Sequence, residues 1–304
     1  MPVWMALLGT LLAGLKGAGV SRAGTVAVAL SGGPDSLALA ALVARWQRDQ
    51  HDPGPPATAL IVDHGLRPES CEEAEGVARL ANKLGLVPHV LRIGWRDGKP
   101  RQQDKMVAAR EERYRLMVQE CSRLGCQHLL VAHHGEDQAE TFMLRLLHAS
   151  GIRGLGCMPL MSSALSGDLG VSVVRPLLEA RKADLEAYCQ QEGLPYVVDP
   201  TNADVAYSRN RLRRLMQPSR ESGQQGASYD VVKDVLRLQR LCASAAAGQE
   251  AAMAELLGRA CSEAAPVDKC RLTCWQSYWG LLVVAQFKIA LHSDTNKPQP
   301  SLAC

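Results

Sequence analysis

The sequence predicts an α/β fold of the doubly wound kind: a mostly parallel sheet with helices on both faces, plus a helical C-terminal extension. Three observations carry this expectation. The apolar run Thr25-Val26-Ala27-Val28-Ala29-Leu30 stops at Ser31-Gly32-Gly33 and gives way to the Ala- and Leu-rich stretch Leu37 to Trp46, which reads as strand, tight turn and helix. Strand and helix patterns then alternate to about residue 193. After residue 217 the alternation ends, and a single long helical pattern follows.

The elements follow in order. The first residues hold an apolar stretch, Val3 to Leu15, interrupted by Gly9, Thr10 and Gly14. It is short and has no basic leader, so a helix packed on the first strand is expected over a secretion signal, and residues 1–23 are read as an N-terminal helix or leader. Ala57 to Val62 reads as a second strand. Ser70-Cys71-Glu72-Glu73 reads as a capping box opening a helix to about Leu84. Pro88 to Ile93 is a third strand, Gln102 to Leu124 a long charged helix, Leu129 to Ala132 a short buried strand, and Glu136 to Leu147 a helix. Val171 to Val174 is a further strand, and Arg181 to Glu192 a helix closed by Gly193. These elements place the main domain at 24–217. Gln217 to Ser228 is rich in Ser, Gly and Gln and reads as a linker. Residues 218–304 are thus read as linker, a helix from about Tyr229 to Arg259, and a loosely ordered tail.

Composition sets outer bounds. The 304 residues are 47% hydrophobic and 21% charged, a globular profile, and a net charge of +3 is too small to mark a nucleic-acid binder unless the charge clusters locally. Ten cysteines are scattered without C-x-x-C spacing, which favours free thiols in a reducing compartment over a disulfide framework or a structural zinc. No apolar run approaches the roughly 20 residues of a membrane span.

The polar motifs cluster after predicted strands. In Ser31-Gly32-Gly33-Pro34-Asp35-Ser36 the backbone N–H groups of a strand-to-helix turn converge and favour a phosphate. Gly32 and Gly33 let the backbone approach closely, Ser31 and Ser36 add hydroxyls, and Asp35 can hold Mg²⁺ against phosphates. An ordinary βα turn is the competing reading. Asp63, His64 and Arg67 follow the second strand and can contact a base, a ribose and a phosphate. Arg110, Arg113 and Tyr114 share one helix face by their i, i+3, i+4 spacing. His133 and His134 end a strand, and Asp137, Glu140 and Thr141 share a face of the next helix. Adjacent histidines do not give the H-E-x-x-H zinc geometry, so the carboxylates are read as a site for an ammonium or Mg²⁺. Ser150 to Gly156 reads as a flexible loop, followed by Arg175-Pro176-Leu177-Leu178 and Asp199-Pro200-Thr201-Asn202. Arg209, Arg211, Arg213 and Arg214 place four guanidiniums within six residues, an electrostatic footprint for a phosphate backbone.

Taken together, these segments, seven with Asp199 to Arg213 counted as one, resemble in order and spacing the tRNA(Ile)-lysidine synthetase family of ATP pyrophosphatases, from about residue 24 to residue 217. Two positions depart from the family pattern: Glu136 stands where an aspartate is usual, and His148-Ala149 where an Arg-Gly pair is usual. The resemblance implies a ligase that uses ATP and Mg²⁺ to join lysine to C2 of the wobble cytidine of a tRNA(Ile) precursor with a CAU anticodon. Cytidine O2 attacks the α-phosphate and pyrophosphate leaves; the lysine amine then attacks C2 and displaces AMP. Ser31, Gly32, Gly33, Pro34, Asp35 and Ser36 would hold the pyrophosphate, with Asp35 on the metal, and Asp63, His64 and Arg67 would hold the nucleotide. Arg110 and Arg113 would take the lysine carboxylate or a phosphate. Asp137 and Glu140 would take the ammonium, and Arg209 and Arg213 the tRNA. Asp35, His133 and Asp137 would be catalytic, with the proton acceptor open between His133 and a carboxylate. The resemblance allows a homodimer and places the protein in a bacterial cytoplasm or an organelle such as the plastid. A tRNA thiolase, which commonly needs paired cysteines, and a catalytically silent RNA-binding protein are the rivals.

Overall fold

In a computed structural model, residues 2–21, 24–48, 55–67, 69–95, 105–164, 169–196, 212, 216 and 230–263 are described. Six strands form one sheet in the order β3-β2-β1-β4-β6-β5. They are β1 (Val26–Ala29), β2 (Thr58–Asp63), β3 (Val87–Arg92), β4 (His128–Leu130), β5 (Met161–Ser163) and β6 (Ser172–Val174). All neighbouring pairs are parallel except β5, which runs antiparallel to β6 at the edge. The chain winds outward from β1 through β2 to β3, then returns to lay β4 on the other side of β1. The topological switch therefore lies between β1 and β4, and ligands in such sheets gather at the carboxyl ends there.

Period-2 alternation distributes the core. Val26 and Val28 of β1 enter one apolar cluster with Ala59, Ile61, Leu130 and Val174, whereas Ala27 enters a second with Leu60, Leu129 and Val173. Helix α4 (Lys105–Arg123) covers the second face through Met117, Val118 and Cys121. The first face is covered by α2 (Pro34–Arg48), α3 (Ser70–Leu84) and α7 (Lys182–Gln191). Residues 36–44 of α2 are all buried, because α2 lies between the sheet and a further layer of helix. That layer includes α1 (Val3–Gly17), whose Leu7, Leu11 and Leu15 point inward at i, i+4, i+8. It packs chiefly on α2 and α7 rather than on the first strand, since α2 already covers that face of β1. Gly14 is required where α1 crosses the Arg175–Pro176 turn: a Cβ there would lie 2.7 Å from Pro176 Cα.

Two short elements follow α5 (Gly135–Leu147) that the sequence reading missed. Ile152–Leu155 forms the helical turn α6 inside the segment expected to be a loop, and Met161–Ser163 forms β5. The capping box expected at Ser70 is absent. Glu69 occupies the N-cap without a side-chain bond, and the Ser70 hydroxyl donates to Arg67 O at 2.9 Å. Strand β3 is the outer strand of the described sheet on its side, and Val87 N donates to Ala57 O at 3.0 Å.

The last described helix, α8 (Val231–Glu263), spans 33 residues. Val232, Val235 and Leu236 form a third apolar cluster with Ala139, Phe142 and Cys157. By compactness the chain divides into Met1–Ala243 and Ser244–Cys304, inside α8. The boundary expected at residue 217 lies outside the described residues. No helix among the described residues is long and apolar enough to cross a membrane.

Candidate active site

The turn after β1 is held closed by its own hydroxyls. Ser31 N donates to Ser36 Oγ at 3.2 Å, the two serine hydroxyls lie 3.1 Å apart, and Ser36 Oγ donates to Gly33 O at 3.0 Å. Gly32 sits at φ 83°, and a Cβ there would lie 2.7 Å from Val77 Cγ2, so this position demands glycine twice over. Asp35 follows in the first turn of α2.

The segment after β4 meets this turn across the switch point. His134 is 2% exposed, and its Nε2 lies 3.7 Å from Asp35 Oδ2 and 3.5 Å from Asp137 Oδ2. Its Nδ1 lies 3.1 Å from Glu136 Oε2. Burial alone would lower the His134 pKa, but Glu136, Asp137 and Asp35 outweigh it and the pKa is raised. Asp137 Oδ2 also accepts the His134 backbone N–H at 3.1 Å, holding the start of α5 as the reciprocal half of a capping box does. Two carboxylates from different strand ends thus converge on one buried imidazole.

Beside them is a cationic wall. Arg110 and Arg113 lie over the Tyr114 ring at 5.3 and 5.9 Å, as their spacing on α4 predicts. Helix α4 packs against β2, and Arg113 lowers the His64 pKa, second to burial. His133 is pushed down to about 4, by burial first and then by Arg175 and Arg110, against the pull of Asp137. It is therefore neutral at pH 7, and its buried Nδ1 has no hydrogen-bond partner among the described residues. Arg175, at the end of β6, spends Nη1 on Pro159 O and Ser162 Oγ, while its buried Nε has no partner among the described residues. Asp63 is buried and accepts the Gly65 N–H at 2.9 Å. Burial opposes its ionisation, but the Ser70 hydroxyl, Gly65 N–H and Arg92 prevail and its pKa is lowered.

A family model for the PP-loop domain matches residues 11–220. A tRNA(Ile)-lysidine synthase from Methylobacterium sp. is 39% identical over 288 residues, covering 93% of this chain and 78% of that protein. The chain belongs to the tRNA(Ile)-lysidine synthase family. Relatives of the same name from Bradyrhizobium diazoefficiens and Methylobacterium nodulans are 42% and 44% identical, over 73% and 77% of this chain. The chain spans 58% and 65% of their lengths, less than two thirds of either. Among solved structures, a U34-tRNA thiolase from Methanococcus maripaludis with its 4Fe–4S cluster shares the fold, with a TM-score of 0.61 at 16% identity over 78% of this chain and 80% of that one.

Within the tRNA(Ile)-lysidine synthase family, the two departures acquire local physical accounts. Ala149, at φ 51°, follows the His148 C-cap of α5; Ala149 N donates to Leu146 O and Ser150 N to Arg145 O. This is a Schellman closure with alanine in the left-handed position that favours glycine. Glu136 reaches further than an aspartate: Oε1 accepts from Arg181 Nε at 2.9 Å and Oε2 from Lys182 N at 2.9 Å.

The other expected residues sit in different settings. Glu140 is 1% exposed, placed in the interior rather than on an open face with Asp137. Thr141 donates to Asp137 O. Arg67 is exposed and pairs with Glu73 on α3 at 3.2 Å. Arg209 and Arg213 lie outside the described residues. His134, Glu136 and Arg175 stood in recognised motifs without an assigned role; the paired histidine and the Arg-Pro turn after a strand were the available signals.

Proposed function

We propose that this chain forms lysidine, joining lysine to C2 of the wobble cytidine of a tRNA(Ile) precursor at the expense of ATP. The observation that supports this best is the meeting of Asp35, His134 and Asp137 across the switch point, beside the wall of Arg110, Arg113, Arg175 and His133. Ser31 to Ser36 would cradle the leaving pyrophosphate on hydroxyls and backbone N–H groups. Cytidine O2 takes the α-phosphorus as the bond to pyrophosphate breaks; the lysine amine then forms a bond to C2 as the C2–O2 bond to AMP breaks. Mg²⁺ fits here: Asp35 and Asp137 present converging oxygens, and this ion is commonly held by one or two carboxylates plus phosphates. When bound, it would neutralise charge developing on the phosphates.

Asp63 and His64 would contact the nucleoside, with Arg113 behind His64. Arg110 and Arg175 would hold an anion, the lysine carboxylate or a phosphate. That anion would offset the guanidinium charges that help depress His133, and raise its affinity for a proton. His133, neutral and with no partner at Nδ1 among the described residues, then accepts the proton that lysine must lose. Arg209 and Arg213 would serve the tRNA backbone, and the surrounding compartment is taken as reducing, a bacterial cytoplasm or an organelle.

The test is pyrophosphate release from ATP with a CAU-anticodon tRNA(Ile) transcript and Mg²⁺, with and without lysine, followed by mass analysis of the nucleosides. Lysidine formed only with all components supports the reading. Pyrophosphate release without any modified cytidine, or no release at all, overturns it. Asp35→Ala should cut turnover by about 10²-fold or more with the far-ultraviolet spectrum intact.

A further inference from the structure

Glu136 does three things with one carboxylate. Its Oε2 lies 3.1 Å from His134 Nδ1 and accepts the N–H of Lys182, the first residue of α7, at 2.9 Å. That N–H is one of the donors a helix start leaves without an intrahelical partner. Its Oε1 accepts from Arg181 Nε at 2.9 Å. The Arg181 Nη1 continues the chain to both oxygens of Asp230, at 3.1 and 2.9 Å. Asp230 in turn accepts the Lys233 N–H at 3.2 Å and caps α8. Three helix starts, those of α5, α7 and α8, are therefore joined through one guanidinium and two carboxylates.

We propose that Glu136 is a positioning residue for His134, and that Arg181 and Asp230 extend its hold to the start of α8. The proposal rests on reading Asp35, His134 and Asp137 as the reacting end of the site. His134 is nearly without solvent contact, and its ring is held by charge from both sides, Glu136 Oε2 at 3.1 Å from Nδ1 and Asp35 and Asp137 at Nε2, so the Glu136 carboxylate bears on where Nε2 sits. An aspartate at 136 would be one methylene, about 1.5 Å, shorter, and from the same backbone position would not span both His134 and the start of α7. The first turns of α8 reinforce the link: Val232, Val235 and Leu236 pack on Ala139 and Phe142 of α5, and Gln239 Nε2 donates to Gly156 O at 2.6 Å. The start of α8 is thereby part of the support of the site.

Asp230→Asn tests this without removing the helix cap, since asparagine caps as well as aspartate. Glu136→Gln keeps the shape and removes the charge. Two readouts are taken on the full chain. In amide hydrogen exchange, both variants should speed exchange across residues 135–138 by about five-fold or more, though Asp230 lies far along the chain. In pyrophosphate release, kcat should fall by about ten-fold in Glu136→Gln and about three-fold in Asp230→Asn, with KM for ATP within about two-fold, and the double variant should be no slower than Glu136→Gln alone. Exchange changed only at the start of α8, losses that multiply, or a KM that rises as much as kcat falls each overturn the link. A wild-type chain that makes no lysidine sinks the proposed reaction alone, because the exchange readout needs no turnover.

Discussion

Replacing Ala149 by glycine should stabilise the protein. Ala149 is exposed, so its methyl group contributes no core packing, yet its φ of 51° is one an L-residue adopts at a cost. That cost is about 1–2 kcal/mol, against which glycine loses about 0.4–1 kcal/mol through its freer unfolded chain. At the middle of these ranges the net gain is about 0.8 kcal/mol, or about 2–3 °C in Tm for a unit of this size. The Schellman bonds from Ala149 N and Ser150 N are backbone bonds and survive the change. Urea unfolding followed by circular dichroism measures the gain, with Ala149→Val as the opposite arm, since a β-branched side chain is worse in this region. A glycine variant no more stable than the parent, alongside a tolerated valine, would refute the assignment of strain to this position.

Other outcomes follow from the same geometry. Gly14→Ala should destabilise by about 1–3 kcal/mol, because its Cβ would strike the Pro176 backbone, and chemical denaturation reads this directly; an unchanged midpoint contradicts the packing of α1. His133 takes its proton near 4 when folded and near 6.5 when unfolded, so its contribution is present above about pH 6.5 and lost as pH falls toward 4. His133→Asn should therefore erase about 2 kcal/mol of the stability difference between pH 7 and pH 5, measured by urea unfolding at both; parallel losses in parent and variant speak against a buried neutral imidazole. Arg113→Ala should raise the His64 titration midpoint toward its ordinary value, followed by NMR, and a stationary midpoint would separate α4 from the end of β2.

Much of this architecture is written locally. Val26 to Ala29 carry a strand pattern because both faces of β1 are covered, and the Ser-Gly-Gly turn must follow where β1 hands over to α2. Met161-Ser162-Ser163 carries no such pattern: three residues at an edge, half exposed, become a strand only because β6 offers a ladder. Ser70 misleads in the opposite way, since it has the right neighbours for a capping box but sits one residue inside the helix. At the site, the loop residues after β1 and β4 were legible as motifs. The partners of Glu136 were not, because Arg181 lies 45 positions further on, and Asp230, which binds Arg181, a further 49, and only the fold brings them near. Glu140 looked available on helical spacing alone, and the packing around α5 buries it.

The outer strand β3 bears on solubility. Successive N–H groups in a strand point to opposite sides, and Val87 and Ile93 donate inward, to Ala57 O and Asp63 O. Pro88, one position on from Val87, therefore sits where an N–H would point outward, and its ring supplies none. The ladder with β2 loses nothing, while a stray strand approaching this edge meets one donor fewer and the exposed charge of Arg92. Proline here acts as a guard against edge-to-edge aggregation, placed on the side of the strand where it costs the native sheet no hydrogen bond.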